Sequence, residues 1–295
     1  MSTAIDNCKD AHYYVGIGSM MNPTSLNLRN LNPIESYPVK CINFQRRFWG
    51  RMGMAEIFEE DGAEFHAVLH KLSDDDMQAL DNMEKGYIRK CIDCYTYDGK
   101  HYQATGYQFD RTKLSVDAAR PPSERYVDIM CLGMKHYGCS EESILELRST
   151  PDQVPRRNPS EYIKIQVPDE CKGTTYTWEQ IENCITNSDN DNTTDSNNTL
   201  RFVFNGKVIE FIEPIGIDKD IIAARRTRDG VNGGMDITHI PNRMMYEPKY
   251  PFCQGVGDMT DEHVAYAEDL WWRNCQAPPT YYKCIGTVQP SRKPK

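Results

Sequence analysis

The chain has 295 residues, 39% of them hydrophobic, and a net charge of −9. That length can bury a substantial core in one large or two ordinary domains. The acidity lies in the first two thirds, where 31 acidic residues face 21 basic ones up to position 199, which argues against nucleic acid as a partner. No run of about eighteen apolar residues occurs, and the opening Met1-Ser2-Thr3-Ala4-Ile5-Asp6 lacks the charged-then-apolar pattern of a secretion signal, so the expectation is a soluble cytoplasmic protein without membrane association. Eleven cysteines, an odd number scattered over this length, fit free thiols in a reducing compartment better than a disulfide framework.

β-Branched and aromatic content predicts a first strand over residues 11–17. It runs through Gly18-Ser19-Met20-Met21 onto a helix predicted over 23–31, with Asn22 as N-cap and Pro23 at the first helical position. Gly18 and Ser19 leave room for close backbone approach, and free N–H groups with the positive helix end favour a carboxylate or phosphate. Alone, the segment reads equally well as a tight connection that holds nothing. Strands follow over 40–48 and 64–71. The second carries His66 and His70, which a strand would separate by about 13 Å, too far for a metal pair.

Residues 74–84 predict a short helix with both ends marked. Ser73 caps it, Asp74, Asp75 and Asp76 sit where the dipole welcomes them, Met77, Leu80 and Met83 share a face, and Gly86 stops the run. Glu84 falls in the last turn. There the negative end of the dipole opposes ionisation and the flanking Met83 and Tyr87 desolvate the group, a setting suited to proton transfer. Taken singly it also reads as a solvated glutamate at a frayed end.

Further strands are expected over 90–97 and 102–109, and helices over 124–137 and 141–148. Cys91 and Cys94 have no second pair to complete a zinc site, and in a strand they face opposite sides, so no metal is expected. The glycines at 230–234 and 255–257 lack the context of a dinucleotide or phosphate loop, and no cofactor is expected. The whole reads as α+β: a small mixed β-barrel with surrounding helices over residues 11–158, then an α+β extension over 159–295. In the extension, 162–167 reads as a strand, and 186–199, which has no apolar residue, as a disordered loop inserted within one unit. Asn205-Gly206 marks a type I′ hairpin. Arg225, Arg226 and Arg228 form a basic cluster that is a solvated helix face or an anion site. A helix capped by Thr260 ends in Trp271-Trp272, a pair suited to packing. The role of this extension stays open among tuning of substrate access, a second function and homodimer formation.

Four segments in order carry a resemblance: Gly18-Ser19-Met20-Met21, Phe48 through Ile57, Leu80-Asp81-Asn82-Met83-Glu84-Lys85-Gly86, and Pro122-Ser123-Glu124-Arg125-Tyr126 with Gly133 through Gly138. Together they resemble the γ-glutamylcyclotransferase-like family over about residues 12–150. Members of that family open with a strand ending in a Tyr-Gly-Ser-Asn-Met type loop and hold their catalytic glutamate in a Leu-Asp-x-x-Glu-Gly segment. Here Ile17 stands where tyrosine is usual and Met20 where asparagine is usual. The Tyr-Gly-Ser-Leu-Ile-Trp style loop of the glutathione-specific branch is lacking.

The resemblance implies a lyase or acyltransferase with Glu84 as its catalytic residue, and a small-molecule γ-glutamyl-type substrate held at Ile17, Gly18, Ser19, Met20, Met21 and Tyr126. A γ-glutamyl group carries its own nucleophile, since the α-amine can close on the γ-carbonyl to give 5-oxoproline. The enzyme then mainly orients the chain and moves one proton. The alternatives are a binding or regulatory module that has kept the cradle without the chemistry, and a specialised lyase or acyltransferase acting on another metabolite in the same pocket.

Overall fold

The structure, a computed structural model, describes residues 13–50, 52–112, 119–182, 200–211, 233–240, 245–250, 259–276 and 282–290. The chain divides into two compact units, Met1–Arg156 and Arg157–Lys295.

In the first unit five strands, β1 (Tyr13–Gly16), β2 (Glu35–Trp49), β3 (Met54–Lys71), β4 (Tyr87–Thr96) and β5 (His101–Phe109), close a barrel in the order β1-β3-β2-β4-β5. β1 runs antiparallel to β3, and its parallel contact with β5 at Tyr14 and Thr105 closes the ring. Strand alternation sends Val15, Val39, Cys41, Ala67, Leu69, Ile92 and Cys94 into one interior cluster. Cys91, three residues before buried Cys94, is exposed, as the period of two requires.

β2 and β3 are longer than predicted, because their pairing continues past an irregularity. Ile42 pairs with Glu64 and Phe44 with Glu59, so residues 60–63 bulge out of the ladder opposite Asn43. Asn43 adopts φ 61° and its Oδ1 accepts from Gly62 N at 3.0 Å. The odd step from Cys41 to Phe44 is absorbed there, and both side chains still reach the interior.

Helices α1 (Pro23–Asn27), α2 (Asp74–Met83), α3 (Glu124–His136) and α4 (Glu141–Arg148) complete this unit. The serines Ser73, Ser123 and Ser140 cap the last three, each accepting a backbone N–H three residues on. α1 stops short of the predicted residue 31, since Asn30 turns left-handed at φ 56° and Leu31 N donates back to Leu26 O at 3.1 Å. Val127, Met130 and Met134 of α3 pack with Ile144 and Leu147 of α4 in one cluster that also takes Met21 and Val68.

In the second unit β6 (Thr175–Tyr176), β7 (Leu200–Phe204), β8 (Lys207–Phe211) and β9 (Tyr282–Val288) form a sheet in the order β6-β9-β8-β7, with α5 (Trp178–Glu182) and α6 (Asp261–Gln276). Asn205 and Gly206 join β7 to β8 at φ 46° and 73°, the left-handed pair a type I′ turn demands. One sheet face buries Phe202, Phe204, Ile209 and Phe211 with Trp271 of α6, which accounts for the first tryptophan of that pair. Thr260 caps α6, its Oγ1 accepting from His263 N at 3.2 Å. Residues 162–167 are not a strand: the N–H groups of Ile163 and Ile165 donate to the carboxylates of Asp269 and Glu268 on α6, at 3.1 and 3.0 Å. Side-chain acceptors thus take the donors that a sheet ladder would have used. The polar segment 186–199, the arginines at 225–228 and the glycines at 255–257 lie outside the described residues. Among the described residues no helix is long and apolar enough to cross a membrane.

Candidate active site

β1 delivers the chain from the barrel into a single 3₁₀ turn, Ser19–Met21, closed by Met21 N to Gly18 O and Asn22 N to Ser19 O, both 3.0 Å. Among the described residues the N–H groups of Gly18, Ser19 and Met20, which open the turn, make no backbone hydrogen bond of this kind. Asn22 ends the turn and starts α1. Its Oδ1 accepts from Thr24 N at 2.9 Å and Ser25 N at 3.3 Å, while its Nδ2 reaches across to Ile129 O of α3 at 2.9 Å.

Two contacts with α3 fix the turn from behind. At Gly133 a β-carbon would stand 2.7 Å from Asn22 Cα and closer still to the Met21 carbonyl, so helix and turn meet backbone to backbone. At Gly18 a β-carbon would collide with the Tyr126 hydroxyl, which accepts from Ala55 N at 3.2 Å. Tyr126 therefore stands directly against the turn.

A third support comes from the barrel. His70 is fully buried on β3, with Nε2 3.0 Å from Met20 O and Nδ1 2.8 Å from Ser36 Oγ. Burial pushes its pKa down from 6.5 to about 4, so the ring is neutral. A carbonyl can only accept, which places the ring proton on Nε2 and leaves Nδ1 to accept from the Ser36 hydroxyl.

Glu84 follows α2 as its C-cap, half-buried, with its N–H donating to Leu80 O at 2.9 Å. Gly86 takes φ 94°, which ends the helix and turns the chain into β4. The helix is pinned by Asp81, which accepts from Arg89 Nε at 2.8 Å on β4 and from Tyr107 Oη at 2.6 Å on β5. Met20 of the turn and Met83 beside Glu84 belong to one buried cluster, centred with Tyr14, Leu80 and Tyr107, against which Tyr87 packs.

Tyr14 joins the two halves. Burial raises the pKa of its phenol well above the usual range, and Glu84 is the strongest of the neighbouring charges, adding to the rise, while Arg29 opposes it. Tyr126 and Tyr87 also act on the same phenol. Arg29, on the turn after α1, donates to Ser25 O at 2.6 Å and reaches Ser19 Oγ at 3.4 Å. A carboxylate, a guanidinium and three phenols thus surround the exit of β1.

The side chains of Ile17, Met20 and Met21 go elsewhere. Ile17 lies in the barrel interior, Met20 in the cluster beneath α2, and Met21 among the residues of α3. At these positions the turn offers its backbone, and the chemically active side chain it presents is that of half-buried Ser19. Sequence reasoning missed Tyr14, Arg29 and His70. Tyr14 stands three residues before Ile17, on the outward phase of β1, and the outward phase was the available signal. Among the described residues no three His, Cys, Asp or Glu side chains group as ligands for a metal ion.

These features define an α+β closed-barrel unit in which one buried cluster takes Met20 of the backbone turn and Met83, the residue before the half-buried Glu84. Over this half of its length the chain resembles a γ-glutamylcyclotransferase. It is 26% identical over 153 residues to the γ-glutamylcyclotransferase of Bos taurus, covering 48% of this chain and 79% of that one. No protein-family profile matches the chain. Among solved structures, a γ-glutamyl cyclotransferase aligns at TM-score 0.42 with 21% identity, over 54% of this chain and 94% of its own. An uncharacterised human protein aligns at TM-score 0.42 with 23% identity over the same shares.

Proposed function

We propose that the first unit is a γ-glutamylcyclotransferase-like enzyme that releases 5-oxoproline from a γ-glutamyl amide or peptide, with Glu84 as its acid and base. The observation that carries this reading is the shared environment of Glu84 and the 18–21 turn, joined through Tyr14, Met20 and Met83. The α-carboxylate of the substrate binds the open N–H groups of the turn. Arg29 at Ser19 places a permanent positive charge on that side, and a permanent charge suits an anion present in the ground state. Held bent, the substrate brings its amine against its own γ-carbonyl, which removes most of the entropic barrier to ring closure. Glu84 takes a proton from the ammonium and returns it to the departing amine.

Glu84→Gln keeps the size and polarity of the side chain but cannot accept a proton. The expected result is an intact fold with 5-oxoproline release lost, measured by mass spectrometry across a panel of γ-glutamyl peptides and amines. A wild-type rate in that variant would falsify the mechanism. A binding or regulatory module is the rival reading, favoured by Ile17, where an apolar side chain in the barrel core replaces the tyrosine usual in the resembled family. Silence of the wild-type protein across the whole panel, with ligand binding retained, would decide for that rival.

A further inference from the structure

Tyr14 is 5% exposed, in a cluster with Met20 from the turn and Met83 from the end of α2. Its ring lies 6.1 Å from that of His70 and 5.9 Å from that of Tyr107, which fixes its direction from both sides. Buried phenols normally find a hydrogen-bond partner. Its neighbours do, Tyr107 at Asp81 and Tyr126 at Ala55 N. Among the described residues the Tyr14 hydroxyl has none, and it is not one of the fully buried unpartnered polar atoms, so the tip keeps an opening to solvent while the ring is buried. A phenol tip with that opening, beside the cluster that takes Met20 of the turn and within the influence of Glu84, is available to donate to a ligand.

We propose that Tyr14 is a second catalytic residue of this site, its hydroxyl donating a hydrogen bond to the γ-carbonyl oxygen as the substrate amine adds; this rests on the function proposed above. Glu84 first takes one proton from the α-ammonium, which frees the lone pair; the amine lone pair forms the new N–C bond, and the carbonyl π pair moves onto oxygen, where the Tyr14 O–H holds it. Glu84 gives its proton to the leaving nitrogen, the C=O bond re-forms and the bond to the leaving amine breaks. The ring nitrogen, still carrying two hydrogens, gives its second proton to Glu84, which passes it to the departed amine; the amine leaves as an ammonium and Glu84 returns to its carboxylate. No water, oxidant or metal enters the balance, and the Tyr14 proton never leaves its oxygen.

Burial and the adjacent Glu84 both keep the phenol protonated, so it is a donor throughout the working range and never the base. Glu84 and Tyr14 thus divide the work by environment, one exchanging protons and the other holding charge. The turn is left free for the α-carboxylate.

The test compares wild type, Tyr14→Phe and Glu84→Gln on γ-glutamyl dipeptides, with kcat, KM and thermal midpoint measured for each. Tyr14→Phe keeps the ring against His70 and Tyr107, so the expected midpoint is unchanged, KM stays within about twofold, and kcat falls about 100-fold, as for loss of one oxyanion donor. Replacing Tyr14 by 3-fluorotyrosine, a stronger donor of nearly the same shape, should shift kcat at constant KM, which a purely structural phenol would not do. Unchanged kcat in both altered proteins, beside an inactive Glu84→Gln, overturns the role of Tyr14 alone. Absence of 5-oxoproline from the wild type overturns the enzyme reading and this proposal with it.

Discussion

Gly133→Ala is the sharpest test of how the site is built. In an exposed helix interior the added methyl would stabilise by about 1 kcal/mol through helix propensity. Here it would stand 2.7 Å from Asn22 Cα, against the 3.4 Å at which ordinary contact begins, and nearer still to the Met21 carbonyl. Turn or helix must therefore give by about 0.7 Å or more. Both partners are main chain and cannot rotate away, which puts the cost at the upper end of overpacking, about 3 kcal/mol. Sterics win, leaving a net loss of about 2 kcal/mol, or about 4–8 °C in the melting temperature of a unit this size. Displacing the turn also spoils the alignment of a bound substrate, and about tenfold or more should be lost in turnover. Calorimetry and the 5-oxoproline assay read the two effects separately, with exposed Lys135→Ala as the control on the same helix. A Gly133→Ala protein as stable and as active as wild type would refute the backbone contact between α3 and the turn.

Two further outcomes follow from the supports of the turn. His70 titrates at about 4 in the fold against 6.5 as an ordinary side chain, so the native state excludes its proton. Its contribution is complete above about pH 6.5 and is lost as pH falls toward 4, amounting to about 2 kcal/mol between pH 8 and pH 5. Urea midpoints at those two values should show that loss in wild type and not in His70→Gln; equal losses would remove His70 from the account. Asn22→Ala deletes a helix cap and the cross-link from Nδ2 to Ile129 O of α3, for an expected loss of about 2 kcal/mol, whereas Asn22→Ser keeps the cap and should recover about half of it on denaturation.

Much of the first unit is legible in its residues, because its signals are local. Of the four α-helices among its described residues, three begin at a serine that also caps them in the structure, and the apolar face of α2 was readable from Met77, Leu80 and Met83. Elements went astray where a distant partner decides. α1 ends early on Asn30, β3 pairs on both sides of residues that look like a strand break, and 162–167 gives its donors to carboxylates about a hundred positions away. The site divides in the same way. Glu84 and the turn are marked by helix ends and glycines, whereas Tyr14, Arg29 and His70 acquire their roles only when the barrel closes and brings β1, β3 and α2 together. Ile17 and Met20 look like altered ligand contacts along the chain, yet in space they are core side chains.

The four residues that bulge from β3 opposite Asn43 have a practical use. Glu60, Asp61 and Gly62 are exposed, and a β-carbon at Gly62 would meet nothing within 4 Å. The ladder already tolerates unequal lengths there while keeping Cys41 and Phe44 in register with the interior. A fluorophore, an epitope or a natural insertion could be spliced at this point and leave the hydrophobic phase of both flanking arms untouched, making it the place where chain length can drift in relatives and where a reporter can be attached.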